Sequence, residues 1–208
     1  CPGAMQESST DSIPPGLFAP ENREDICDWR MPEDTVTAKG NFIKYLISND
    51  SCCLDNLYIE WGNSKYRHIE PFPPLRQFHP KMTPKLLAET NDFLFLDGAA
   101  SGGLPVVGYL LYAFPLQENG QVEGYEMISW EAFDPNSMTL VREVENATER
   151  HFIEAYNIKT HKKKPFRFKN RQFCASASWA VDSVSVTPQK IFVRMSLVDD
   201  KDESIMET

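Results

Sequence analysis

Nothing in this chain is spaced to hold a thiolate metal site. Its five cysteines are Cys1, Cys27, Cys52, Cys53 and Cys174, and no two form a C-x-x-C motif. A zinc centre built on thiolates is therefore not expected. Cys52 and Cys53 are neighbours, a spacing that seldom bridges, so a reduced compartment is the simpler reading. A disulfide from Cys27 to one of that pair is the geometric alternative. The four histidines, His68, His79, His151 and His161, include no H-x-x-x-H pair. No metal and no cofactor is expected.

Glycine is sparse, 10 of 208 residues. The one cluster, within Asp97–Gly103, lacks the G-x-G-x-x-G and Walker spacings and is followed by Leu-Pro. It reads as a structural loop and not a phosphate cradle. Ser101 also lacks the G-x-S-x-G context of a nucleophile elbow. Long apolar runs are missing, so no membrane-spanning helix is expected. A basic start followed by an apolar stretch, the pattern of a signal peptide, is missing too. The four residues before Met5 read as an appended scar.

Acidic charge is present but unevenly placed. The formal net charge is −9. Residues 1–40 hold eight acids and three bases, residues 199–208 hold five acids and one base, and 41–198 holds seventeen of each. The division expected is a Pro/Ser/acid-rich, partly disordered N-terminal segment (1–40), one β-rich domain (41–198) and an acidic tail (199–208). The ends are expected to be solvated and to add little stability. The leader's large apolar groups, Leu17, Phe18 and Trp29, could still pack on the body.

The richest pattern is Val106–Phe133. Asn119-Gly120 is a strong signal for a two-residue type I′ hairpin. That turn would set Leu116 opposite Glu123, Phe114 opposite Tyr125 and Tyr112 opposite Met127. Large apolar groups on both sides of the strand call for cover on both faces. Pro115 lacks an N–H, so pairing should lapse beside it or the strand should be an edge.

Other segments repeat the β theme. Leu57, Ile59 and Trp61 share one face of a strand that should pair with 65–72. Asn41–Ser48 reads as a strand or one short helix, Phe93–Leu96 as a buried strand, and Ile191, Val193, Met195 and Leu197 as the last strand. Residues 71–84 carry five prolines and read as a stiff connection. A short helix is expected at Thr83–Glu89, with Thr83 as cap and Pro84 at its first position. A longer one is expected at 135–157, where Leu140, Val141, Val144, Thr148, Phe152 and Ala155 fall at helical spacing. Two strands flanking a turn near Asn146 are the alternative. Small residues between Phe173 and Trp179 suggest a tightly packed strand. No internal repeat is visible. The fold class expected is mainly β: an antiparallel β-sandwich or distorted barrel with one or two short helices.

Functionally, the stretch 159–171 stands out. Lys162, Lys163, Lys164, Arg167, Lys169 and Arg171 are interleaved with Phe166 and Phe168. Cations neutralise phosphates, and rings can stack on unpaired bases. The same run could serve as a nuclear localisation signal. A solvated strand with its two rings in the core is the ordinary structural explanation. The reading adopted is a non-enzymatic interaction domain of a larger intracellular protein, nuclear or cytoplasmic. It would bind a protein partner or itself, with RNA or DNA touching 159–171. One alternative is a small hydrolase using His68, Glu70 and Asp92 or Asp97. Another is an extracellular recognition domain glycosylated at Asn49 and Asn146, each of which begins an N-x-S/T triplet.

Overall fold

The computed structural model describes residues 13–19, 32–48, 57–72, 83–100, 108–148, 151–169, 180–198 and 204–207. Of 99–100, 145–148, 198, 204, 205 and 207 it describes the backbone alone. The cysteines, Arg171, the 173–179 segment and most of the proline-rich connection lie outside these residues. Among the described residues no helix is long and apolar enough to cross a membrane.

Among the described residues four antiparallel sheets follow one another along the chain, each a meander in which sequential strands are neighbours. The first contains β1 (Thr35–Val36), β2 (Phe42–Ile47), β3 (Leu57–Gly62) and β4 (Arg67–Pro71). The second contains β5 (Lys85–Glu89), β6 (Phe93–Ala100), β7 (Gly108–Pro115) and β8 (Glu123–Met127). The third is β9 (Phe133–Asp134), β10 (Thr139–Thr148), β11 (His151–Asn157) and β12 (Lys163–Pro165). The fourth is β13 (Val181–Val186), β14 (Ile191–Val198) and β15 (Ser204–Glu207). The mainly-β class holds. Where a short helix is expected at Thr83–Glu89, Lys85–Glu89 is the strand β5. In place of the helix expected at 135–157 stand β10 and β11, the two-strand alternative, with 149 and 150 outside the described residues. The leading strands begin at residues 35, 85, 133 and 181, so the architecture repeats even though the sequence does not.

The sheets pack face to face in chain order, a sandwich extended layer by layer. Ile43, Tyr45, Ile59 and Trp61 of the first sheet meet Leu94, Leu96, Leu110, Tyr112 and Phe114 of the second. Alternation decides this, because those residues occupy every second position and so share a face. The opposite face of the second sheet carries Phe95, Leu111, Ala113, Tyr125 and Met127. These join Leu140, Val141, Phe152 and Ile153 of the third sheet and Val193, Met195 and Leu197 of the fourth. As expected, β7 is covered on both faces.

The hairpin forms, but in a different register. Tyr109 pairs with Met127, Leu111 with Tyr125 and Ala113 with Glu123, which leaves 116–122 as the loop. The register expected from Asn119-Gly120 differs by three residues, an odd slip that exchanges faces. The observed register puts Tyr125 and Met127 beside Leu111 in the deeper core and leaves Gly124 and Glu126 opposite Tyr112 and Leu110. Burying two large side chains outweighs the local turn preference. Neither Asn119 nor Gly120 has the positive φ that a type I′ turn requires. Gly120 lies against the Pro115 ring, where any Cβ would collide with it. Pro115 ends β7, as its missing N–H predicts. Its carbonyl accepts a hydrogen bond from Trp61 Nε1 at 3.0 Å, and the next N–H, Leu116, donates to Asp92 O at 2.7 Å.

Candidate functional site

The basic stretch starts in the turn after β11 and runs through β12, the edge strand of the third sheet. Lys163 pairs with Tyr156, Lys164 with Ala155 and Pro165 with Glu154. Lys162, Lys163, Lys164, Arg167 and Lys169 are exposed. Phe168 is buried and stacks on Phe152 with centroids 5.0 Å apart. Phe166 packs half-buried against the same core, and its N–H donates to Ile153 O at 3.0 Å. Arg167 Nε donates to His151 Nε2 at 2.9 Å. The structure therefore gathers the cations on one exposed edge and turns both rings away from solvent. Arg171 falls outside the described residues.

The residues of the hydrolase alternative have other partners. His68 stacks on Trp61 with centroids 5.0 Å apart and donates from Nε2 to Gln117 O at 3.0 Å. Asp92 is ion-paired to Lys159 at 2.6 Å. Asp97 sits in β6 between Lys85 and Leu111. Burial raises the Asp97 pKa, with smaller opposing effects from its own backbone N–H and Lys85. Among the described residues no group of three or more His, Cys, Asp and Glu could hold a metal.

A polar cleft of about 500 Å³ opens where one end of the second sheet meets the third. Three loops build it: the β5–β6 turn (Asp92, Phe93), the β7–β8 loop (Pro115 to Glu123) and the turn after β11 (Ile158 to His161). A chain of contacts runs from the core to its wall. Arg142 is held by Glu154, with Nη2 to Oε1 at 2.9 Å, and its guanidinium lies 4.1 Å from the Tyr156 ring centroid. The Tyr156 hydroxyl bonds His161 Nδ1 at 2.7 Å. Tyr125, 5.6 Å from Tyr156, donates its hydroxyl to Glu123. Burial is the main cause holding both phenols above the ordinary tyrosine range. His161 adopts φ 55°, a left-handed conformation uncommon outside glycine. Sequence reading missed this cleft because its residues come from three distant turns and share no spacing. The turn dipeptide Asn119-Gly120 was the one mark it left.

A second cavity, about 470 Å³, lies on the face of the first sheet turned away from the second. Glu60, 1% exposed, is paired there with Arg67 Nε at 2.6 Å.

Comparison with protein-family models, with curated proteins and with solved structures returned no match.

Proposed function

We propose that this protein is a non-enzymatic interaction domain that receives an acidic protein segment along β12. The observation that supports this reading most is the trio Lys162, Lys163 and Lys164. All three are exposed, Lys163 and Lys164 on the edge strand and Lys162 just before it, and among the described residues none has an ion-pair partner. They sit in a body, 41–198, whose acids and bases balance, so their field is local and uncancelled. Burial of Phe168 in the core, with Phe166 packed half-buried against it, favours a contact made by charge over one made by base stacking. Charge remains, and an acidic peptide complements it. Pro165 and the lysines also discourage strand addition at this edge, so the contact rests on side chains. A nuclear or cytoplasmic location belongs to the same proposal.

The test is an anisotropy titration of the full chain with a labelled Asp/Glu-rich peptide and with a single-stranded oligonucleotide, each at several salt concentrations. Peptide binding that weakens with salt and is lost in the Lys162→Ala/Lys163→Ala/Lys164→Ala variant is the expected outcome. Unchanged binding in that variant overturns the assignment to β12. Tighter binding of the oligonucleotide replaces the acidic segment with a phosphate backbone.

A further inference from the structure

The cleft between the second and third sheets is independent of the β12 patch and has a different chemistry. Its charges cancel in part, because Lys159 is held by Asp92 at 2.6 Å. Glu123 supplies a further negative charge. An anionic ligand would meet two carboxylates for one ammonium, so the lining disfavours it. Gln117, Asn119 and Gln121 line the cleft, and a side-chain amide offers both a donor and an acceptor. His161 also lines it. The Tyr156 hydroxyl bonds His161 Nδ1 at 2.7 Å and fixes the orientation of the ring. The ring's Nε2 adds a second polar atom, a donor or an acceptor according to tautomer. Phe93 and Pro115 add apolar surface to the lining.

A lining that combines amide donors and acceptors with apolar surface matches vicinal hydroxyls on a ring. Each hydroxyl both donates and accepts, while the ring's C–H face needs apolar cover. The wall is also set in advance. His161 holds its left-handed conformation, Gly120 is packed against Pro115, and Tyr125 ties Glu123 in place. Strain kept in a non-glycine residue at a cleft wall, with its side chain fixed by a buried phenol, is characteristic of a binding site. We propose that this cleft binds a neutral carbohydrate of one or two rings, through the Gln117, Asn119 and Gln121 amides, Glu123 and His161. Its volume falls within the range of small-ligand sites.

Saturation-transfer NMR on the intact protein tests this with glucose, galactose, mannose, N-acetylglucosamine, lactose and maltose, with glucuronate as the charged comparison. Isothermal titration then follows any sugar that binds. At least one neutral sugar should bind at millimolar concentration or below, and glucuronate should bind more weakly than glucose. Gln121→Ala changes an exposed side chain, and losing one or two hydrogen bonds should weaken binding about five- to tenfold. His161→Gly keeps the backbone conformation accessible and should weaken binding to a similar extent, with each variant's melt checked alongside. The Lys162–Lys164 triple variant should bind the sugar as the parent does, which separates this site from β12. No binding by any sugar overturns the proposal, as does tightest binding to glucuronate or unchanged affinity in both cleft variants.

Discussion

At the scale of single residues, the alternations were legible and the charges were not. Leu57, Ile59 and Trp61 lie buried on one face as their spacing implied. Phe168 likewise points inward between exposed Arg167 and Lys169. Asp97, by contrast, belongs to a stretch that reads as a loop, yet it is a strand residue between Lys85 and Leu111. Its folded-state pKa is raised, chiefly by burial, above the unfolded value of about 3.9. The folded state therefore holds this proton more tightly than the unfolded chain, and stability falls as pH rises through the raised value. Asp97→Asn removes the ionisation and nearly keeps the shape. The variant should melt above the parent at neutral pH, and the gap should close in strong acid, where Asp97 is protonated in both states. Thermal melts across the acid range check this, and a gap that widens in acid contradicts it.

Elements were legible where one face is apolar and the other polar, and misread where both faces are buried. Leu140 and Val141 are adjacent and both fully buried, as are Phe152 and Ile153. A strand covered on both sides loses its alternation, and a continuous apolar run then fits helical spacing equally well. That is why 135–157 suggested a helix. At 84–89 the Thr-Pro start suggested a helix on local grounds, but Leu86 and Ala88 pair across to β6, and tertiary pairing outweighs a cap. The hairpin failed in register for the same reason, a distant face deciding against a turn dipeptide. The candidate sites divide similarly. The lysine cluster is contiguous and so was visible, whereas the cleft is assembled from three turns.

The ends of the chain also depart from the acid count. Ser204–Glu207 pair with Met195–Val198. Phe18 and Ile47 exchange both backbone hydrogen bonds, at 2.9 and 3.0 Å. Removing 199–208 should therefore lower stability by about 1–2 kcal/mol, because several backbone bonds on β14 are lost. That corresponds to about 2–8 °C in the melting temperature. A melt of the truncated chain that coincides with the parent's would show that β15 contributes nothing.

At the scale of the molecule, charge and packing follow different logics. The acids concentrate in the ends while the body is balanced, so electrostatics bear on what the protein meets rather than on what holds it together. Cohesion comes from one layer burying its apolar face on the next. Among the described residues the strand ladders lie within each meander, and individual bonds such as Trp61 Nε1 to Pro115 O tie one sheet to the next. In mechanical terms the sheets are links in series. Grasped at its two ends and stretched, the chain should yield one link at a time, because no strand of one sheet is zipped to another. Links that begin 48–50 residues apart would each release about 160–180 Å of slack at full extension. Antiparallel neighbours peel from an edge under such a load, breaking bonds one after another, so each rupture should be weak. A single-molecule stretching trace should show a saw-tooth of low, evenly spaced peaks, and one tall peak would mean that the layers share the load.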